Sequence, residues 1–151
     1  MKLERRDVNE EYIKFISKNM RVDDQIECQL SASLEPEDAV RASLEMSEES
    51  GVLYDTEFDE PVIIFGLCAG GVIWALGTEG IKRKKLAFIK ISRRILDEWN
   101  EIYPKLFNCV YSENTVHINW LKHSGCDILE AIELGPFNAT FYRFERIANN
   151  V

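Results

Sequence analysis

Asn114-Thr115-Val116-His117-Ile118-Asn119-Trp120-Leu121-Lys122-His123-Ser124-Gly125-Cys126 is the stretch on which the reading of this chain turns. An Asn side chain can cap the start of a helix, and a Gly can take the left-handed conformation just past its end, so a short helix is expected over Thr115 to Ser124. His117 and His123 stand six residues apart on that helix. They do not share a face, and they read as surface or partly packed side chains.

Upstream, Leu106 to Tyr111 reads as a strand, and Lys82 to Tyr103 as the longest helix. Phe88, Ile91, Ile95, Trp99 and Ile102 recur at three- and four-residue steps to make one apolar stripe, and Pro104 prevents extension. Before it come three strand candidates: Val52 to Phe58, Pro61 to Cys68 and Val72 to Leu76. The first two are joined by a turn at Asp59-Glu60-Pro61, and an antiparallel meander is the simplest arrangement. The continuous apolar runs Val62 to Phe65 and Val72 to Leu76 suit central strands covered on both faces.

Nearer the start, Leu3 to Val8 suggests a first strand. Asp7 and Glu10 suggest a capping box for a helix from Val8 to about Asn19, with Tyr12, Phe15, Ile16 and Met20 inward. Val22, Ile26 and Leu30 share helical spacing. Pro36 suits a first helical turn, opening a helix to about Glu48 with Ala39, Val40, Ser43 and Leu44 inward, and Gly51 ends that region. Downstream, Ile128 to Leu134 and Thr140 to Ile147 are the last strands. With no repeat or linker, a single α+β domain over 1–151 is expected.

The chain has 151 residues and a net charge of −8, which argues against general affinity for nucleic acid. The apolar stretch Pro61 to Leu76 is broken by Gly66, Gly70 and Gly71 and is too short to span a bilayer. Met1 to Asp7 lacks the apolar core of a signal peptide, so an intracellular protein is expected. Cys28, Cys68, Cys109 and Cys126 form no metal-binding spacing with one another or with the histidines. They read as reduced thiols, and no metal site is expected.

Charge is uneven. Between Ile81 and Leu96 lie seven of the 18 basic residues and no acid, leaving 11 bases against 26 acids elsewhere. Lys82 to Lys85 stand at a helix start, where the macrodipole disfavours cations by about 0.3 to 1 kcal/mol each when exposed. A bound anion would reverse that penalty, and Gly77 and Gly80 would let the backbone approach a phosphate. A solvated basic face is the alternative.

The order of elements resembles the GNAT acyltransferase superfamily across the full chain, with a mixed, mostly antiparallel sheet and helices on both faces. More narrowly, Pro61-Val62-Ile63-Ile64-Phe65-Gly66, Trp74-Ala75-Leu76-Gly77-Thr78, Ser92-Arg93-Arg94, Tyr103-Pro104 and Asn114 through Gly125 are similar to acetyltransferase-like internal virion and assembly proteins of short-tailed bacteriophages. The resemblance implies a cleft for acetyl-CoA or another acyl-CoA where the Val72 to Leu76 strand splays from the Leu106 to Tyr111 strand. Carried over by position, Trp74, Ala75 and Leu76 would flank the pantetheine. Gly77 to Arg83, with Thr78, Gly80 and Lys82 among them, would meet the pyrophosphate, and Asn114 the far end of the arm. The chain departs from the superfamily at the phosphate loop, Gly77-Thr78-Glu79-Gly80-Ile81, which lacks the Arg/Gln-x-x-Gly-x-Gly/Ala pattern. It departs again at Leu121, where the superfamily often has a proton-donating tyrosine.

Candidate catalytic groups are Tyr111 and Ser112 near the splay and Glu60 among the acids Glu57, Asp59 and Glu60, which otherwise read as packing and as solvated turn residues. Trp74, Trp99 and Trp120 read as core. The expected function is acyl-CoA-dependent N-acylation of a protein or small-molecule amine, the amine attacking directly. The alternative is a non-catalytic phage virion or assembly protein that binds a phage or host protein, located in the particle or the host cytoplasm. The basic helix could instead serve an acidic partner or a dimer.

Overall fold

Its chain order is β1 (Leu3–Arg6), α1 (Glu10–Lys18), α2 (Val22–Ala32), α3 (Pro36–Met46), β2 (Ser47–Asp55), β3 (Glu60–Cys68), β4 (Val72–Gly77), α4 (Lys85–Ile102), β5 (Lys105–Tyr111), α5 (Thr115–His123), β6 (Asp127–Leu134) and β7 (Ala139–Ile147). The computed structural model describes residues 3–148. Met1, Lys2 and residues 149–151, which the expected domain and the reading of the N-terminus include, lie outside them. Among the described residues the strands form one seven-stranded sheet in the order β1-β2-β3-β4-β5-β7-β6. All neighbours are antiparallel except β4 and β5. No helix among these residues is long and apolar enough to cross a membrane.

Two apolar layers sandwich the sheet. On one face, Phe88, Ile95 and Trp99 of α4 and Leu121 of α5 pack on Leu53, Ile63 and Phe65. Each such side chain contributes about 1.5 to 3 kcal/mol by leaving water. On the other face, Tyr12, Ile13 and Ile16 of α1 join Val40 of α3 over Val52 and Ile64. The long-helix stripe is therefore real, although it stops short of Ile102, which is 52% exposed.

Local departures from expectation have identifiable causes. The cap of α1 is Asn9, whose Oδ1 accepts the Tyr12 N–H at 2.8 Å, in place of Asp7. The hairpin turns at residues 56–59, beginning three residues before the expected Asp59-Glu60-Pro61, and Pro61 pairs with Tyr54. Gly51 lies inside β2, where a Cβ would come 2.8 Å from the Phe65 ring. The helical spacing of Val22, Ile26 and Leu30 corresponds to α2, but it does not mark the buried face. Val22 and Ile26 are exposed, while Arg21, Asp24 and Cys28 are buried.

Strands β4 and β5 create the opening that matters. They meet at one registered pair, Val72 with Phe107, beside Gly71. Gly71 has φ +101°, and a Cβ there would lie 2.3 Å from the Lys105 carbonyl oxygen, so only glycine permits the approach. Beyond that point the strands diverge, with Asn108 Nδ2 reaching across to the Ile73 carbonyl at 2.8 Å.

Candidate functional site

The divergence of β4 from β5 leaves a cavity of about 240 Å³, lined by Trp74, Ala75 and Leu76 of β4, Asn108 and Cys109 of β5, and His117 of α5, among others. Antiparallel pairing sends the peptide groups of alternate residues to opposite neighbours. On β4, the Ile73 carbonyl is taken by Asn108, and both peptide groups of Gly77 are taken from the same side. By that alternation Ala75, between them, directs its N–H and C=O into the opening.

At the far end of the opening sits a buried charge network. The Asp24 carboxylate accepts Arg21 Nη1 at 2.9 Å, Asn114 Nδ2 at 2.9 Å and the Gly77 N–H at 2.9 Å. The Arg21 N–H donates to the Gly77 carbonyl at 2.9 Å, and its guanidinium also reaches Asn114 Oδ1 at 3.3 Å. Arg21 is 3% exposed and Asn114 fully buried. Asn114 therefore ties α5 to α2 and makes no side-chain cap bond to its own helix. The helix still ends as expected, since Gly125 at φ +94° lets the Cys126 N–H return to the Leu121 carbonyl.

His117 joins the same network. Its Nδ1 lies 3.7 Å from Glu27 Oε2 and has no hydrogen-bond partner, and the side chain is 12% exposed. Glu27 is fixed by the Tyr111 N–H, which donates to Oε1 at 2.6 Å. Burial opposes a charged imidazole, but the carboxylates of Glu27 and Asp24 outweigh it and raise the His117 pKa. Burial raises the Asp24 pKa as well, against the pull of His117, Arg21 and the Asn114 hydrogen bond. The ligating atoms of Asp24, Glu27 and His117 lie within 4.8 Å of one another. The Asp24 carboxylate is already occupied, however, and the Arg21 guanidinium supplies the positive charge a metal would bring.

The basic run has an anion of its own. Asp55, at the end of β2 and fully buried, accepts Lys84 Nζ at 2.6 Å and Arg83 at 3.2 Å. Glu57 holds Lys84, Glu60 holds Arg83, and Lys82 pairs with Glu79. The long helix starts at Lys85, after a 3₁₀ turn over Glu79–Lys82. The backbone amides of this loop are also engaged: Gly77 to Asp24, Thr78 to Val62, Gly80 to the Thr78 hydroxyl, Ile81 to Thr78 and Arg83 to Gly80.

The structure thus gathers Trp74, Ala75 and Leu76 at the opening and leaves other candidates outside it. Glu60 serves Arg83 at the β2–β3 turn. The Ser112 N–H bonds to Thr140, and the Tyr111 ring packs on Phe141. Cys28 and Cys109 line the cavity. Burial pushes the Cys28 thiol up to about 12 and raises that of Cys109, so neither is a ready nucleophile. Sequence reading missed Arg21, Asp24 and Glu27 and set His117 aside. The one signal was three ionisable residues at helical spacing, Arg21, Asp24 and Glu27, on a helix whose apolar residues already formed another face.

No protein-family model matches the chain, and no curated protein matches it in sequence. Solved structures do match. Spermidine N-acetyltransferase from Vibrio cholerae, in complex with CoA and spermine, aligns with a TM-score of 0.68 at 14% identity, covering 97% of this chain and 95% of that one. A putative phosphinothricin N-acetyltransferase aligns with a TM-score of 0.63 at 11% identity, covering 98% and 99%. The likeness shows the fold, that of GNAT acetyltransferases.

Proposed function

We propose that this chain is an acyl-CoA-dependent N-acyltransferase whose acyl donor enters between β4 and β5. The observation that carries the reading is the single registered pair between those strands, beyond which the Ala75 peptide faces a cavity. The Ala75 N–H is a fixed donor for a thioester carbonyl, in a site where a preorganised dipole is worth far more than in water. The thioester end fits, flanked by Trp74, Ala75 and Leu76. The diphosphate end fits differently from expectation. With the amides of Gly77, Thr78, Gly80, Ile81 and Arg83 engaged and Lys82 paired with Glu79, the Lys85 side chain at the start of α4 is left to hold it, joined by Lys82 once it exchanges Glu79 for phosphate, and Thr78, Gly80, Arg83 and Asn114 serve structure. The acceptor is an amine, as the N-acetyltransferase names of both similar structures say for those proteins, and it attacks without a covalent enzyme intermediate. The single-domain reading over 1–151 belongs to the same proposal.

A second reading draws on the occupied loop amides and on Leu121, which is 1% exposed and cannot donate a proton. In it the fold is a non-catalytic scaffold, which the motif resemblance would place in a phage particle. Calorimetric titration separates the two. Acetyl-CoA is expected to bind, and more weakly at high salt if lysines meet its phosphates. No heat at ligand near about 1 mM would leave the scaffold.

A further inference from the structure

Resting on the transferase reading, we propose that His117, held beside Glu27 and Asp24, donates the proton that the departing thiolate requires. Leu121 leaves the wall of the cavity without a donor, and His117 lies one turn earlier on the same helix face, where residues four apart are neighbours. It lines both the main cavity and the small pocket bounded by Ala75, Gly77, Phe88 and Trp120. Its ring stacks on Trp120 at 5.3 Å, which fixes its plane. With Nδ1 turned to Glu27, Nε2 remains to give a proton.

The charged groups acting on the ring come from α2 and its N-cap. Asp24 and Glu27 belong to α2 and Arg21 is the residue that precedes it, while Cys28 of α2 and Cys109 of β5 line the same cavity. The α4 side offers Phe88 and Ser92, and β4 offers Ala75. Glu27 and Asp24 favour the imidazolium, and burial and Arg21 oppose it, with a net rise in pKa. A raised pKa moves the imidazole toward the protonated form that an acid needs.

As the acceptor nitrogen bonds to the acyl carbon and the carbon–sulfur bond breaks, the electron pair stays on sulfur. His117 passes its Nε2 proton there. The surplus proton on the former amine leaves to water, and the imidazole regains one from solvent. Glu27 is a positioning residue, fixed by the Tyr111 N–H.

Carbon-13 titration of the imidazoles in the wild-type protein, with His123→Gln for assignment, tests the protonation first. A His117 midpoint above the ordinary value of about 6.5 is expected, and one below it overturns the assignment. His117→Gln is then compared with wild type on two donors, acetyl-CoA and a p-nitrophenyl thioester, with hydroxylamine as acceptor. The variant is expected to lose about 100-fold with acetyl-CoA and the falling high-pH limb of its rate profile. It should lose little with the aryl thioester, whose thiolate departs unprotonated. Equal losses on both donors overturn the assignment. Calorimetry on both proteins keeps the failures apart: acetyl-CoA binding by neither removes the transferase reading itself, whereas retained binding with equal losses removes only His117.

Discussion

The Asp24 carboxylate accepts the Gly77 N–H at 2.9 Å, fastening α2 to the end of β4 across 53 residues of sequence. The same carboxylate holds Arg21 and Asn114, so one buried group fixes the far wall of the opening from three elements. Asp24→Ala is expected to destabilise the fold by about 3 kcal/mol, because it removes the close buried partner of Arg21, leaving only the more distant and exposed Asp23 and Glu79 at 3.7 and 3.8 Å, and frees the Gly77 N–H and Asn114. Urea unfolding measures it, and a loss below about 1 kcal/mol would show that the network is not formed.

Asp55 plays the corresponding part for the basic run. Burial alone would raise its pKa, but Lys84, the Phe58 and Glu57 amides and Arg83 outweigh that and hold it below the ordinary value. A depressed folded pKa contributes stability that is present above the unfolded value of about 3.9 and is lost as pH falls through the folded one. Wild type is therefore expected to lose stability through that acid range, and Asp55→Asn to lose less there while being weaker at neutral pH. Unfolding curves at several acid pH values check it, and parallel pH profiles would contradict it.

The orientation of α2 gives a third expectation. Ile26→Lys should change stability by no more than about 0.5 kcal/mol, since Ile26 faces water. Val40→Ala, at a fully buried position of α3, should cost over about 1 kcal/mol. Thermal unfolding of the two variants decides, and a large loss for Ile26→Lys would mean that the apolar face of α2 is the packed one.

The legible parts of the sequence were those where spacing has one physical meaning. Phe88, Ile95 and Trp99 announced α4, Pro104 its limit, and the apolar runs around Asp59 a hairpin. The divergence of β4 from β5 was expected only through resemblance, and the single Val72–Phe107 pair bears it out. The network was illegible because its bonds span long separations: Arg21 and Asn114 stand 93 residues apart. In α2, the spacing of Val22 and Ile26 marked a helix but not its buried face: both are exposed, while Asp24 and Glu27 bond to β4 and β5. The basic run suggested a bound phosphate because its anion, Asp55, sits on another strand.

Entry of an acyl-CoA beside Ala75 stands or falls on a titration of nitrogen-15-labelled protein with acetyl-CoA. Amide shifts are expected at Ala75, Leu76 and Cys109, and Ala75→Leu, which fills the space, should abolish them. Shifts confined to other surfaces, or none up to about 1 mM ligand, would contradict it.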